Sequence, residues 1–248
     1  MRLAVVSDIH ANLTALEAVI EDLKQVSPDM VLHGGDLVGS GARPAEVVDC
    51  VRQLRWPGVQ GNAEEMLWSP DRVAEYFQAP ALQHWREIVS RTITATVYAI
   101  GEERLNWLRA LPSRWAETDL TIVHASPEDF WRSPMADASD EELVKTYGLL
   151  GTRRVIYGHI HNPYIRRLSS FTIANSGSVS LSHDGDPRAA YALVDDDQIT
   201  IRRVEYDIER EVTALFQMHC PDAEWLAEML RKGTLLPALG YTPVLQSN

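Results

Sequence analysis

The chain has 248 residues, of which 45% are hydrophobic and 23% charged, as expected of a globular protein with one large domain or one domain with an appendage. Its formal net charge is −12, and no run of lysine and arginine is long enough to form a basic face. A protein that binds DNA or RNA through the phosphate backbone needs such a face, so extended nucleic-acid binding is not expected. The two cysteines, Cys50 and Cys220, form neither a disulfide framework nor a thiolate zinc motif.

The N-terminal segment predicts neither secretion nor membrane insertion. Its apolar run, Leu3–Val6, is too short for a signal peptide and is followed at once by Asp8. No stretch approaches the roughly 18 apolar residues of a membrane span. We therefore expect a cytoplasmic protein that has no membrane partner, and the sequence leaves its oligomeric state open.

The first 60 residues alternate between predicted strands and helices. Leu3–Val6 and Met30–His33 predict strands, and Val59–Gln60 predicts a short third one. One helix between them is capped by Asn12, and the other begins at Pro44. This β-α-β-α-β order implies parallel strands with functional loops at their carboxyl ends.

The segment from residue 63 to 118 predicts a helical insertion interrupted by prolines and by Gly101. It contains four tryptophans, at Trp68, Trp85, Trp107 and Trp115. Tryptophans of this kind ordinarily belong to a core. The functional alternative is a helical cap that forms one wall of a substrate cleft.

Beyond residue 119 the pattern returns to strands and then ends in helices. The predicted strands are Leu120–Val123, Arg154–Tyr157, Phe171–Ala174, Ser178–Leu181, Ala189–Val194 and Ile199–Val204. Their short spacing predicts a second, more antiparallel sheet, with a hairpin turn at Asp195–Asp197. We place one domain at residues 1–205 and a C-terminal helical extension, packed on the same domain, at residues 206–248, with an irregular tail from Gly240.

Potential metal ligands follow the predicted strands. In chain order the motifs are Asp-x-His (Asp8, His10), Gly-Asp-x-x-Gly (Asp36), Gly-Asn (Asn62), a single histidine (His124) and Gly-His-x-His (His159, His161). Taken singly, an aspartate after a strand is more often a turn or cap residue, and a lone histidine is more often structural. Five independent signals, each after a predicted strand, together indicate one shared site.

This ordered set resembles the calcineurin-like metallophosphoesterases, most closely their small bacterial and archaeal phosphodiesterase-like members, over roughly residues 1–205. The resemblance implies an α/β fold: a four-layer αββα sandwich of two mixed β-sheets flanked by helices, with two metal ions at the sheet edge. Its implied ligands are Asp8, His10 and His161 for one ion, Asn62, His124 and His159 for the other, and Asp36 as a bridge between them.

The chemistry of these side chains agrees with that implication. Carboxylate, imidazole and amide ligands suit manganese, our first choice, and also iron, zinc, nickel, cobalt or magnesium, rather than Cu(I) or an iron–sulfur cluster. The two oxygens of Asp36 can hold two ions about 3.5–4 Å apart, and a water between such ions can attack phosphorus. We accordingly predict catalytic roles for Asp36, Asn62 and His10.

One position departs from the family pattern. Where the commonest family motif has Gly-Asn-His, this chain has Gly61-Asn62-Ala63. The missing histidine is credited with protonating the leaving group, a contribution of roughly 10²–10⁴-fold for a general acid. Its loss also removes a possible cation near the phosphate, which harms a dianionic monoester more than a monoanionic diester.

The preferred hypothesis is therefore a phosphodiesterase acting on a small phosphate ester. A phosphomonoesterase, including a phosphoprotein or dinucleoside-polyphosphate phosphatase, is the alternative. A non-catalytic scaffold on the same fold is less favoured, because all seven ligand positions hold competent residues.

Candidate substrate contacts are Arg188, Arg43 and His183. Arg188 can bind a phosphate bidentately, although an ion pair with Asp186 is an equal alternative. Asn175 either orients a neighbouring metal ligand or only fixes its turn.

Overall fold

The computed structural model describes residues 1–80, 82–117, 119–196 and 198–237. The strands are β1 (Arg2–Val6), β2 (Met30–His33), β3 (Arg114–Glu117), β4 (Leu120–Val123), β5 (Arg154–Tyr157), β6 (Tyr164–Arg167), β7 (Thr172–Asn175), β8 (Ala189–Asp195) and β9 (Gln198–Val204). The helices are α1 (Leu13–Val26), α2 (Pro44–Leu54), α3 (Asn62–Glu65), α4 (Pro70–Tyr76), α5 (Arg86–Arg109), α6 (Asp140–Tyr147), α7 (Ile208–Gln217) and α8 (Ala223–Lys232).

These strands form two mixed sheets. The first has the order β2-β1-β8-β9, with β1 parallel to β2 and antiparallel to β8. The second has the order β3-β4-β5-β7-β6, in which β4, β5 and β7 run parallel and β3 and β6 are antiparallel edge strands. The predicted α/β class and the pair of mixed sheets flanked by helices are confirmed.

Strand β1 shows how the layers are built. Successive side chains of a strand point to opposite faces. Leu3 and Val5 pack between the two sheets, whereas Ala4 and Val6 pack against α1 and α2. On the outer face of the second sheet, α6 packs against β4 and β5. Both faces of β1 are thus buried, which explains its continuous apolar sequence.

Two of the predicted strands are wrong. At Val59–Gln60 only an isolated bridge joins His33 to Gly58, and the amide of Gln60 donates to Pro112 instead of to a sheet. Residues 178–181 are irregular because the hydroxyl of Ser178 accepts the amides two and three residues further on. Such local side-chain bonds compete with a strand ladder.

The sheet membership of the last strands is also corrected. β8 and β9 were predicted to join a second, more antiparallel sheet, but β8 pairs with β1 and both belong to the first. The second sheet instead gains β3 and β6, which the sequence did not predict. The helical insertion therefore ends in a strand, since β3 pairs with β4. The hairpin predicted at Asp195–Asp197 joins β8 to β9, although Asp197 itself lies outside the described residues.

The C-terminal helices complete the structure beside the carboxyl ends of the strands. Trp225 and Met229 of α8 pack in one cluster with Val212 of α7, Ile88 of α5 and Leu181. The tail predicted from Gly240 lies outside the described residues. Within the described part of the chain, no helix combines the length and apolarity that a membrane crossing requires.

Candidate metal centre and active site

The predicted ligands lie on loops that leave the strands at one edge of the sandwich. Asp8 and His10 follow β1, Asp36 follows β2, His124 follows β4, His159 and His161 follow β5, and Asn62 begins α3. Most of these residues have left-handed backbones, with φ of 57° at Asp8, 46° at His10, 53° at Asp36, 66° at His159 and 55° at His161. Residues other than glycine rarely adopt such angles, and they persist where surrounding contacts hold them, often at functional sites.

Two glycines allow the carboxylates to lie directly against the backbone. A Cβ atom added at Gly61 would come within 2.2 Å of Asp36 Oδ1, and one added at Gly158 within 2.2 Å of Asp8 Oδ2. No side chain fits at either position without moving the carboxylate. The glycines in these motifs therefore position the acids.

The first cluster consists of Asp8, His10 and His161. Their nearest ligand atoms all lie within 4.8 Å of one another. His161 Nε2 is 3.1 Å from His10 Nε2 and 3.1 Å from Asp8 Oδ1. The structure thus brings together the three residues that were predicted to share one ion.

The second cluster is centred on Asn62. Its Oδ1 atom lies 2.9 Å from His124 Nε2 and 2.8 Å from His159 Nδ1. Asp36 lies between the clusters, with Oδ1 3.4 Å from His124 Nε2 and Oδ2 3.7 Å from His10 Nε2. Asp8 is also within 4.8 Å of Asp36 and His124, so both carboxylates reach both clusters, not Asp36 alone.

Backbone carbonyls fix the orientation of three imidazoles. The Nδ1–carbonyl pairs are His10 with Val38 at 3.2 Å, His124 with Gly34 at 2.8 Å and His161 with Leu181 at 2.6 Å. A carbonyl only accepts, so each Nδ1 carries the proton and each Nε2 presents a lone pair to the site. The lone pairs of His10 and His161 then face each other across 3.1 Å. A cation beside them would relieve the repulsion between these lone pairs, so the donor set fits divalent metal ions.

Burial keeps the imidazoles of His10 and His159 in the neutral form that binds metals. It lowers the pKa of His10 to about 3, helped by repulsion from His161, and it lowers the pKa of His159 to about 3, helped by repulsion from His124. Burial alone would raise the pKa of Asp8, but the neighbouring histidines, His161 foremost, hold it well below its usual range.

The Asp36 carboxyl shows the opposite shift. Burial, together with repulsion from Glu64 and Asp8, raises its pKa well above the usual range. The protein alone therefore disfavours the charged form of Asp36. Bound cations reverse that preference, because they are the largest local charges in such a site.

Glu64 is a structural member of the site that sequence reasoning did not identify. Its fully buried carboxylate accepts the amides of Asp36, Leu37 and Gly61, each at 2.8 Å. It thereby joins the loop after β2 to the start of α3. The available signal was a glutamate at the third position of a short helix, the place of a capping-box acid.

Asn175 acts on the loop that carries His159. Its amide donates to the carbonyl of Gly158, and its oxygen accepts the amide of Gly177 at 2.9 Å. It therefore fixes its own turn and the residue immediately before a predicted ligand. Ser178 similarly donates to the carbonyl of Asp8 at 2.8 Å.

Comparison with known proteins identifies the family. Residues 1–198 match the model of the calcineurin-like phosphoesterase superfamily domain. This chain belongs to the calcineurin-like phosphoesterase superfamily. The superfamily is metal-dependent, in agreement with the Asp and His clusters.

Several relatives of this superfamily member share most of its length. It is 30% identical to an uncharacterized protein of Methanocaldococcus jannaschii, over 93% of this chain and 98% of that protein. It is also 30% identical to a metallophosphoesterase from Sphaerobacter thermophilus, whose crystal structure superposes with a TM-score of 0.78 over 94% of this chain and 100% of that one. The phosphodiesterase YfcE of Escherichia coli K12 is 24% identical over 81% of this chain and 91% of its own.

Of the three residues predicted to contact substrate, His183 lies at the cavity beside the clusters and the two arginines lie elsewhere. A cavity of about 210 Å³ opens above the clusters, and His183 lines it, with its ring centroid 4.5 Å from that of His161. Arg43 instead pairs with the buried carboxylate of Glu211, and Arg188 with Asp186 at 2.6 Å. Neither arginine lines the cavity, because each guanidinium is held by a carboxylate elsewhere.

Proposed function

We propose that this superfamily member is a phosphodiesterase that holds two divalent ions. The proposed ligands are Asp8, His10, Asp36, Asn62, His124, His159 and His161. The observation that carries the proposal is the convergence of four imidazoles, one amide oxygen and two carboxylates, with three imidazoles oriented by backbone carbonyls. When bound, the ions would supply positive charge to the phosphoryl oxygens and acidify a water for attack at phosphorus. Manganese is the expected metal, with iron, zinc, nickel, cobalt and magnesium as alternatives.

The chain's own residues explain why such a site would attract an anion. Two carboxylates and otherwise neutral ligands carry less negative charge than two divalent ions carry positive charge. The loaded site is then cationic within a chain of net charge −12, and it would draw a phosphate ester to this one place. Asp36, whose oxygens face both clusters, and the neutral donors Asn62 and His10 are the residues to which we assign the catalytic centre.

The preference for a diester rests on Ala63. Its side chain lines the cavity where the common family motif has a histidine, and its amide donates to Asp36 Oδ1 at 2.8 Å. Among the described residues, no lysine or arginine lines the cavity to replace the missing cation. A monoanionic diester needs less compensating charge than a dianionic monoester. A phosphomonoesterase is the second candidate, and the phosphodiesterase relative YfcE supports the first.

The test is a metal-reconstituted assay on matched substrates. Metal-free protein is loaded with Mn²⁺ and given bis(4-nitrophenyl) phosphate or 4-nitrophenyl phosphate, while metal content is measured in parallel. We expect two ions per chain, chelator-sensitive turnover and a higher kcat/KM for the diester. Two ions with a faster monoester reaction would favour the second candidate. A single ion, or full activity after chelation, would contradict the proposed centre.

A further inference from the structure

The cavity above the two clusters of predicted ligands is lined on one side by those ligands and on the other sides by apolar side chains, which form its wall. The wall residues from the helices and neighbouring loops include Trp85, Ile88, Ile93, Met66, Trp225 and Met229. The rings of Trp85 and Trp225 lie 5.3 Å apart at 59°, so two different helical segments meet in one aromatic surface. This surface is continuous with the predicted ligands, because both line the same cavity of about 210 Å³.

Helix α5 presents one face to the cavity. Trp85, just before the helix, and Ile88, Val89, Ile93 and Thr96 within it all line the cavity. Their spacing of three to four residues places them on a single side of a helix. The intervening residue Glu87 is exposed on the outer side. The apolar wall is therefore a continuous surface and not a set of isolated contacts.

The charge of the surroundings limits what this wall can bind. A neighbouring cavity of about 640 Å³ shares residues Gly39 and Thr96 with the first. It is lined by Glu46 and by Asp49, whose carboxylate engages the guanidinium of Arg104 through two hydrogen bonds. A second phosphate in the substrate would thus meet carboxylates and an already paired arginine.

The wall also extends beyond the part of the chain that the superfamily model matches. That match ends at residue 198, whereas Trp225 and Met229 belong to α8. The C-terminal helices, which pack on α5 through Ile88, complete the cavity. Its specificity is consequently a property of this chain's extension as well as of the shared domain.

We propose that the preferred substrate is a phosphodiester whose non-leaving ester group is aromatic or branched and apolar, and that Trp85, Ile93, Trp225 and Met229 recognise this group. The inference rests on the proposed function, since the phosphate must lie at the metal clusters. The ester group then occupies the apolar wall, where burial of its surface stabilises the complex. Nucleotides with additional phosphates are disfavoured, because among the described residues no lysine or arginine lines this cavity and Arg104 in the neighbouring one is already paired with Asp49.

The first measurement compares benzyl 4-nitrophenyl phosphate with methyl 4-nitrophenyl phosphate on the Mn²⁺-loaded protein. Both release 4-nitrophenol, and both non-leaving groups are alkyl, so intrinsic reactivity is similar. We expect kcat/KM to be at least about 10-fold higher for the benzyl ester, the discrimination typical of an apolar pocket. A binding measurement without turnover accompanies it: benzylphosphonate is expected to bind at least about 10-fold more tightly than methylphosphonate, by calorimetry.

The second measurement uses cavity and control variants. Ile93 is partly buried, so Ile93→Ala removes part of the wall with little risk to folding. We expect it to lower the benzyl-to-methyl ratio of kcat/KM, and the ratio of phosphonate affinities, by at least about fivefold. Glu87→Ala, on the exposed face of α5, should leave both ratios unchanged.

The outcomes separate this inference from the proposed function. Turnover of both diesters at similar kcat/KM, with equal phosphonate affinities, would overturn the apolar specificity while leaving the phosphodiesterase intact. Absence of turnover, combined with tighter binding of benzylphosphonate that Ile93→Ala abolishes, would support the apolar wall and contradict the proposed reaction. An equal loss of both ratios in Glu87→Ala would show that the effect does not arise in the cavity, and would also overturn the inference.

Discussion

Replacement of Glu64 by glutamine should weaken both the fold and the metal centre, although this residue contacts no predicted substrate position. Its carboxylate accepts three amides at 2.8 Å, those of Asp36 and Gly61 on Oε2 and that of Leu37 on Oε1. The amide of Val38 makes a longer and weaker fourth hydrogen bond to Oε1, at 3.4 Å. A glutamine oxygen can keep the first two, but its NH2 group then faces the amide of Leu37. The Leu37 amide therefore loses its acceptor, the long hydrogen bond from Val38 is lost with it, and the two remaining hydrogen bonds lose the assistance of a charge.

The magnitude follows from these three bonds. A buried donor without an acceptor costs about 1–3 kcal/mol, and loss of charge assistance costs about 1 kcal/mol for each of the other two. Glu64→Gln should thus lower the free energy of unfolding by about 3–5 kcal/mol. Glu64→Ala strands all three amides, at about 3–9 kcal/mol. Domains have only about 5–15 kcal/mol in total, so the alanine variant should lose a large share of its stability and unfold at a much lower urea concentration.

The assay is urea unfolding of metal-free protein, followed by calorimetric titration with Mn²⁺. Glu65→Gln is the matched control, because the adjacent Glu65 accepts a hydrogen bond from the Trp131 indole that an amide oxygen can also accept. We expect the control to lose at most about 1 kcal/mol, the value for one hydrogen bond without charge assistance, and Glu64→Gln to lose more stability and to bind Mn²⁺ more weakly as well. Wild-type stability and affinity in Glu64→Gln would refute the view that this carboxylate holds the two ligand loops together.

Four further predictions concern charge, proton supply and stability. Asp36→Asn should abolish turnover at saturating Mn²⁺, because it removes a negative charge that both ions would share, while the circular dichroism spectrum stays unchanged. Near-normal activity would mean that Asp36 does not bridge the two ions. The wild-type rate should fall steeply as the leaving group becomes more basic, because Ala63 offers no proton; a flat dependence would reveal another donor. Ala63→His should raise the rate of hydrolysis most for monoesters and for esters with basic leaving groups, by at most roughly 10²–10⁴-fold. Hydrogen bonding from Arg202 lowers the pKa of Asp22 below its ordinary 3.8. The ionised Asp22 therefore stabilises the fold above pH 3.8, and this stabilisation is lost as the pH falls through the lower folded-state pKa. Asp22→Asn should flatten this part of the curve of stability against pH, and an unchanged curve would contradict the assignment.

The proximity of the predicted ligand residues could be inferred from the sequence because most of them follow the end of a strand. A strand such as β1 is recognisable from four consecutive apolar residues, and the carboxyl ends of neighbouring parallel strands meet at one edge. Asp8 and Asp36, which follow β1 and β2, must therefore lie close together. Nothing beyond strand recognition and connection order is needed for that inference.

Pairings between distant segments were not predictable in the same way. The strand pair Leu3 with Val194 joins residues far apart in the chain, and an apolar alternating strand fits either sheet equally well. Arg43 was a plausible phosphate contact until Glu211, 168 residues later, proved to hold it. The role of Glu64 likewise depends on two loops meeting in space.

The central position of β1 has a consequence for the order in which the molecule assembles. β1 is flanked by β2 on one side and by β8 on the other, and the loop carrying Asp8 is bonded to residues 178 and 180. Contacts of such high sequence separation form slowly and late in folding. A nascent chain on the ribosome should therefore lack the complete set of contacts around Asp8 until β8 has been synthesised, so any binding of a metal ion at the predicted ligands should follow that step and not accompany the folding of the first strands.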